Sequence, residues 1–187
     1  MSGALATPRA YPQPCRAGYA PAVERMWAPW RLEFVEAASG HEPLACVFCE
    51  APARGDDDAA LIVHRGATCF AILNLYPYTN GHLLIAPYRH VAQPGDLDAA
   101  ERAELWRLLD ESLAALDATM QPHGANAGLN LGRAAGQGIE GHLHLHVVPR
   151  WRGDTNFMPV LADTRVIPQA LGDTCRLLRD AWVPSGT

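Results

Sequence analysis

The clearest pattern in the sequence is an alternation of histidine with aliphatic residues that begins at His142. A period of two places the three imidazoles on one face of a β-strand, and Leu143, Leu145 and Val147 on the other. The aliphatic face requires a hydrophobic core behind it. We therefore predict a strand over residues 142–148, whose imidazole face looks into a cleft or onto solvent.

Short apolar segments bounded by turn residues predict four further strands, at residues 61–64, 68–73, 82–86 and 127–131. After Asp96 the period changes to that of a helix, which ends before Pro122, and a last helix starts near Pro168. The order of strands, helix, strands and helix predicts an α+β fold with a mainly antiparallel sheet rather than βαβ units.

Composition places the chain among globular proteins. It has 187 residues, 49% of them hydrophobic and 19% charged, which is enough for one domain with a sizeable core. The net charge is −5, so nothing global indicates binding to nucleic acid or to a membrane surface. Attraction of a polyanion must be local, and up to two of five arginines could provide it: Arg65, Arg89, Arg133, Arg150 and Arg152.

The N-terminal residues and the cysteines indicate the domain boundary and the cellular compartment. Residues 1–24 are rich in proline and alanine and lack a hydrophobic segment of the signal-peptide type, so we predict a disordered tail, with residues 25–187 as the domain. No apolar run is long enough to span a membrane. The five cysteines are an odd number and mostly scattered, as expected of reduced thiols in the cytoplasm.

The spacing of the histidine row limits its chemistry. Neighbouring imidazoles of a strand stand about 7 Å apart, so one metal ion at about 2.0–2.1 Å from each nitrogen cannot bind all three. At least one imidazole is therefore not a metal ligand and is available for other chemistry. A neutral imidazole is a nucleophile near neutral pH, and the phosphoramidate that it forms is labile. The central His144 is therefore a candidate nucleophile.

Residues 142–148 resemble the signature of the histidine triad superfamily of nucleotide hydrolases and transferases. Segments 71–74 and 81–87 resemble its nucleotide-binding strands. Segments 74–78, 128–132 and 149–157 resemble the bacterial diadenosine tetraphosphate phosphorylase branch. The resemblance implies a five-stranded sheet in each subunit, assembly as a homodimer or a dimer of dimers, and a small-molecule nucleotide as substrate.

The resemblance also implies roles for single residues. His144 matches the nucleophile, and His146 matches the third histidine, which contacts phosphate or the leaving group. His82 matches a histidine that supports the site, and Asn74 and Asn130 match positions that contact the nucleotide or its phosphates. Without the resemblance, His82 could equally be a packed strand histidine, and an asparagine at a strand end is often a turn residue.

A glycine-rich loop precedes the histidine row. Gly136, Gln137 and Gly138 could bring backbone N–H groups and a side-chain amide to a phosphate. In the shorter-spaced hydrolase branch a similar glutamine lies four residues before the first histidine, whereas Gln137 precedes His142 by five. Gly138 or a neighbouring N–H could therefore take its role.

A Cys-x-x-Cys pair at Cys46 and Cys49 suggests zinc binding or redox chemistry. A redox pair would begin a helix after a thioredoxin-like strand, which the sequence does not predict here. The resemblance implies a structural zinc bound by Cys46, Cys49, His90 and His142, as in many bacterial histidine triad proteins and the related galactose-1-phosphate uridylyltransferases. Such a site is closed and tetrahedral.

The function that these features favour is phosphorolysis of diadenosine tetraphosphate to ATP and ADP through an adenylyl-His144 intermediate, with inorganic phosphate as second substrate. Arg133, Arg150 or Arg152 could hold that phosphate. One alternative is a dinucleoside polyphosphate or nucleoside phosphoramidate hydrolase that releases AMP. Two others are a zinc-stabilised nucleotide-binding module without turnover, and a metalloenzyme that uses two triad histidines as ligands to a catalytic ion.

Overall fold

The computed structural model describes residues 46–139, 141–154 and 170–185. The predicted tail over residues 1–24, the start of the last helix near Pro168 and the end of segment 149–157 lie outside the described residues. The described α-helices and strands are, in chain order, α1 (Val47–Ala53), α2 (Asp57–Ala60), β1 (Ile62–Arg65), β2 (Cys69–Leu73), β3 (Leu83–Pro87), α3 (Ala99–Met120), β4 (Gly124–Leu129), β5 (Leu145–Arg150) and α4 (Leu171–Asp180). Two 3-10 helices, Pro94–Asp96 and Arg133–Ala135, lie in the connecting segments.

The five strands form one sheet in the order β1-β2-β3-β5-β4. Every neighbouring pair is antiparallel, so the predicted α+β architecture is confirmed. The fourth strand begins three residues earlier than predicted, because its partner β5 runs on to Arg150, which pairs with Gly124. Both ends of the sheet are edges, and β4 presents largely exposed residues.

The histidine strand is shorter at its start than the alternation predicted. β5 begins at Leu145, so His142 and His144 precede it. The ladder with β3 stops there because Pro87 has no N–H to donate, and its carbonyl oxygen lies 2.9 Å from His142 Nε2. The N–H of Leu143 donates instead to the carbonyl of Val91, at 2.7 Å.

The predicted division of the two faces of this segment is confirmed. Its aliphatic residues lie in the main hydrophobic core together with the apolar stripe of α3. A second, smaller cluster covers the opposite face of the sheet, and it contains Phe48 of α1, Phe70, Ile72 and Leu84. The histidines belong to this second side, where they are buried rather than turned to solvent: His142 is 0% exposed, His144 6% and His146 9%.

Two short helices were not predicted. α1 has seven residues and α2 four, and α2 begins with two aspartates, Asp57 and Asp58. Asp56 caps α2 by accepting from the N–H of Ala59. Cys46 is the N-cap of α1, so the Cys-x-x-Cys pair does begin a helix, against expectation. Among the described residues, no helix combines the length and apolar character needed to cross a membrane.

Candidate active site

Four potential metal ligands meet at one end of the histidine row: Cys46, Cys49, His90 and His142. Their ligand atoms all lie within 4.8 Å of one another. Cys46 Sγ is 3.2 Å from His142 Nδ1, and His90 Nδ1 is 3.3 Å from both Cys49 Sγ and His142 Nδ1. Tetrahedral zinc with its usual bond lengths separates such ligand atoms by about 3.3–3.8 Å. The two thiols and two imidazoles therefore fit a closed zinc site.

The surroundings orient the two imidazoles in this cluster. His142 Nε2 can donate to the carbonyl of Pro87, which leaves Nδ1 as the ligand atom, and burial lowers the pKa of His142, favouring the neutral form that a metal needs. Gly141 has a φ of +79°, and a Cβ added there would lie 3.1 Å from His90 Nε2. A glycine is therefore required both by the backbone and by the close approach of His90.

The tautomer of His144 follows from one contact. Its Nδ1 lies 2.9 Å from the backbone carbonyl of His142. A carbonyl oxygen can only accept a hydrogen bond, so Nδ1 carries the proton, and the lone pair of a neutral His144 is on Nε2. This is the arrangement that a nucleophilic imidazole needs.

The tautomer of His146 is fixed through His82. The backbone N–H of Tyr78 donates to His82 Nδ1 at 3.1 Å, and the amide nitrogen of Asn74 lies 3.2 Å from the same atom. A neutral His82 therefore carries its proton on Nε2, which is 3.0 Å from His146 Nδ1. His146 must accept there, so its own proton is on Nε2. His82 therefore contacts the third histidine of the row directly, and its role in a site stays a prediction.

Two aromatic residues of the site were not predicted. The ring centroid of Phe48 lies 4.7 Å from that of His144, and the ring of Tyr78 stacks on that of His82 with a centroid distance of 4.8 Å. Phe48 stands between the two cysteines of the metal cluster, and Tyr78 lies in the segment that resembled the phosphorylase branch. Neither has a spacing pattern that distinguishes it from ordinary core residues.

The loop before the histidine row is tied to it by Gln137. The side-chain oxygen of Gln137 accepts from the N–H of Gly132 at 2.8 Å, and its amide nitrogen lies 3.5 Å from the carbonyl of His142. Gly136 has a φ of +82°, which closes the turn. Asn130 lies just after β4, with its side-chain amide group 3.4 Å from His146 Nε2. Because Nε2 carries the proton, the amide oxygen must be the atom that faces it. The loop thus lies beside the row, while phosphate binding by Gly136, Gln137 and Gly138 stays a prediction.

At least three of the five candidate arginines are paired with carboxylates within the described residues. Arg65 binds Asp57, and Arg89 binds the largely buried Glu101. Arg150 binds Asp154 and also donates to Asn126. The three guanidinium groups are therefore engaged in ion pairs within the protein, which weakens the case for Arg150 as a phosphate ligand. Arg133 and Arg152 lie exposed in the loops on either side of the histidine row.

Residues 56–153 match the HIT domain family. An "AP-4-A phosphorylase" of Mycobacterium tuberculosis is 42% identical over 166 residues, which cover 86% of this chain and 85% of the relative. A zinc-bound histidine triad family protein from Mycobacterium smegmatis is 27% identical in sequence, with a TM-score of 0.59, and covers 75% of this chain and 94% of its own. A histidine triad nucleotide-binding protein from Sulfolobus tokodaii is 25% identical, also with a TM-score of 0.59, covering 73% and 91%.

Proposed function

The chain belongs to the HIT domain family, and we propose that it cleaves diadenosine tetraphosphate by phosphorolysis, through a covalent adenylyl-His144 intermediate. The observation that carries the chemistry is the bond from His144 Nδ1 to the His142 carbonyl, because it places the lone pair on Nε2. The choice of substrate is supported by the relative named AP-4-A phosphorylase, which aligns along most of both chains.

In the first step, Nε2 of His144 attacks the α-phosphorus of one adenosine. The bond from that phosphorus to the bridging oxygen breaks, and ATP leaves with the electron pair on the oxygen. His146 Nε2–H faces the same side of the row and can donate a hydrogen bond to this oxygen. The positive charge that the imidazole of His144 acquires is stabilised by the carbonyl of His142 through Nδ1–H.

In the second step, an oxygen of inorganic phosphate attacks the same phosphorus. The phosphorus–nitrogen bond breaks, ADP leaves, and His144 returns to its neutral form. Asn74 and Asn130 flank the row from β2 and β4 and are expected to contact the nucleotide. The loop that contains Gly136 and Gly138, with the exposed Arg133, is expected to contribute N–H groups and positive charge to the phosphates.

We further propose that the cluster of two cysteines and two histidines holds one structural zinc ion. Its support is the fit of the donor set and the zinc-bound family member with the same fold. When bound, the ion would cross-link α1 to the segments that carry His90 and His142. His142 would thus have two roles. Its imidazole would bind the metal, and its backbone carbonyl accepts the hydrogen bond that orients the proposed nucleophile, His144.

The proposed reaction predicts a strict dependence of rate on phosphate. With diadenosine tetraphosphate as substrate, the rate should rise from near zero and saturate as phosphate is titrated, with ATP and ADP formed in equal amounts. Chromatographic separation of the nucleotides is the measurement, and sulfate at equal ionic strength is the control. A rate that does not depend on phosphate, with AMP as product, would instead place the enzyme among the hydrolases.

We propose that two copies associate through the face formed by α3 and β4. A cavity of about 440 Å³ opens there, and it is lined mainly by apolar side chains, including Leu97, Leu105, Leu129 and Leu145. Trp106 stands beside it with 62% of its surface exposed. The backbone of β4 is the edge of the sheet, so a second copy could both cover the apolar surface and extend the sheet.

Replacing Trp106 with glutamate is expected to break this association. A buried charge at the interface costs several kcal/mol, whereas an exposed position tolerates it in the monomer. Light scattering coupled to size exclusion should give a mass of two or four chains for the wild type and a smaller assembly for Trp106→Glu. Val183→Glu changes another exposed apolar residue, outside this face, and should leave the mass unchanged. A wild type of single-chain mass would contradict the proposal.

We propose that the enzyme works in the cytoplasm, because the free thiols of the proposed zinc site persist most readily where cysteines stay reduced. Small-molecule nucleotides and phosphate are also available there. Fractionation of cells that express the protein, followed by immunoblotting, would test this assignment.

A further inference from the structure

Phe48 connects the metal cluster to the nucleophile. It lies between Cys46 and Cys49 in the sequence, and its side chain is 1% exposed. Its ring is 4.7 Å from the ring of His144, with an interplanar angle of 32°, and 5.2 Å from that of His142. One buried aromatic side chain thus contacts both a proposed zinc ligand and the proposed nucleophile.

The contacts of His144 show how the ring of Phe48 affects the orientation of the imidazole. The bond from Nδ1 to the His142 carbonyl fixes the tautomer, but a single hydrogen bond still allows the imidazole to tilt about it. Phe48 packs against one side of the ring, and the ring of His146 lies 5.0 Å away. With these neighbours in place, the direction of the Nε2 lone pair is restricted.

We propose that Phe48 is a positioning residue for His144, holding the imidazole at the angle from which Nε2 attacks phosphorus. This inference rests on the proposed function, because it concerns the same nucleophile. A misplacement of about 1 Å in a reacting group can cost on the order of 100-fold in rate. The aromatic ring also lies within about 6 Å of the imidazole, the range over which it can stabilise the cation of the covalent intermediate.

A nucleobase platform is the rival role for an aromatic residue in a nucleotide site. The burial of Phe48 argues against it, because a ring that is 1% exposed has no face to offer a base. Phe48 instead packs into the cluster that contains Phe70, Ile72 and Leu84 on this side of the sheet. The two roles differ in what they change, since a platform acts on substrate affinity and a positioning residue acts on the chemical step.

The test compares Phe48→Leu with Phe70→Leu. Phe70 is fully buried in the same cluster and stacks on Tyr88, so it is a matched control for loss of an aromatic ring from this core. We expect Phe48→Leu to lower kcat by about tenfold or more, with KM for diadenosine tetraphosphate and the zinc content unchanged. Phe70→Leu should lower the melting temperature to a similar extent and leave kcat within about twofold of the wild type.

A second variant and a spectroscopic measurement keep the proposal testable if Phe48→Leu folds poorly or if the substrate is wrong. Phe48→Met keeps most of the volume but lacks the flat ring, and should show the same fall in kcat. NMR relaxation of the ¹³C-labelled imidazole of His144 should show a rigid ring in the wild type and a more mobile ring in the Phe48 variants, with the Nδ1–H tautomer unchanged. This measurement does not depend on turnover. If the wild type produced AMP, phosphorolysis would be ruled out, but the positioning role of Phe48 would not.

Three outcomes would overturn the positioning role. A rise in KM with kcat unchanged would make Phe48 a substrate contact. An equal fall in kcat for Phe48→Leu and Phe70→Leu would make it an ordinary core residue. A fall in kcat that occurs only in protein that has lost its zinc would assign the effect to the metal site.

Discussion

Replacing His144 with alanine is expected to abolish turnover of diadenosine tetraphosphate while leaving nucleotide binding largely intact. In the proposed mechanism this residue carries the covalent step, and its tautomer is fixed by the carbonyl of His142. Removing a nucleophile of this kind costs several orders of magnitude in rate, because no other group forms the bond to phosphorus. Binding depends on other groups, so it should survive the change.

Two measurements check this prediction. Initial rates in saturating phosphate give the loss of turnover, and calorimetric titration with intact diadenosine tetraphosphate gives the affinity, since the inactive variant does not consume it. His123→Ala is the control, because His123 is an exposed histidine outside the row whose Nδ1 accepts from the N–H of Arg152. A His144→Ala variant that retained a tenth of the wild-type rate would contradict covalent catalysis.

The faces of the histidine segment could be predicted from its sequence, but its strand boundary could not. Alternation is enforced by burial, since Leu143, Leu145 and Val147 must reach the core under α3. The first residue of the strand depends on the partner strand, because the register of the pairing places Pro87, which has no N–H to donate, opposite Leu143. Which strand lies opposite is a matter of topology, and the alternation contains no information about it.

The two short helices could not be predicted from the sequence, for a different reason. α1 and α2 have seven and four residues, and so span too few turns for a hydrophobic period to show. Their position matters for the site, because α1 follows its N-cap Cys46 and brings Phe48 against His144. A contact of this kind is set by packing, so it could not be inferred from the local sequence.

The metal cluster could be predicted only by resemblance. His90 is 41 residues from Cys49 and 52 from His142, and no local spacing rule joins ligands that far apart. The fold brings them together at the end of β3, where His90 follows Pro87 and His142 precedes β5. The links from Tyr78 through His82 to His146 have the same origin, since they join a loop to a strand that pairs with β3.

The metal prediction concerns stability as well as composition. Protein purified without added zinc should contain close to one equivalent of the metal per chain, and Cys46→Ser combined with Cys49→Ser should contain none. Ligand binding stabilises the folded state by about 4 kcal/mol when the ligand exceeds its Kd by about 1,000-fold. At roughly 2–4 °C per kcal/mol for a domain of this size, the double variant should melt about 8–16 °C below the wild type.

Elemental analysis and thermal melts on the same samples provide the measurements. Cys175→Ala is the matched control, because it removes a buried thiol in the main core without touching the cluster, and it should keep its zinc. The double variant should also lose turnover, because the His142 carbonyl that orients His144 is then held only by the bond of its own imidazole to Pro87. Metal-free wild-type protein whose melting temperature does not rise when zinc is added would rule out a structural metal at this site.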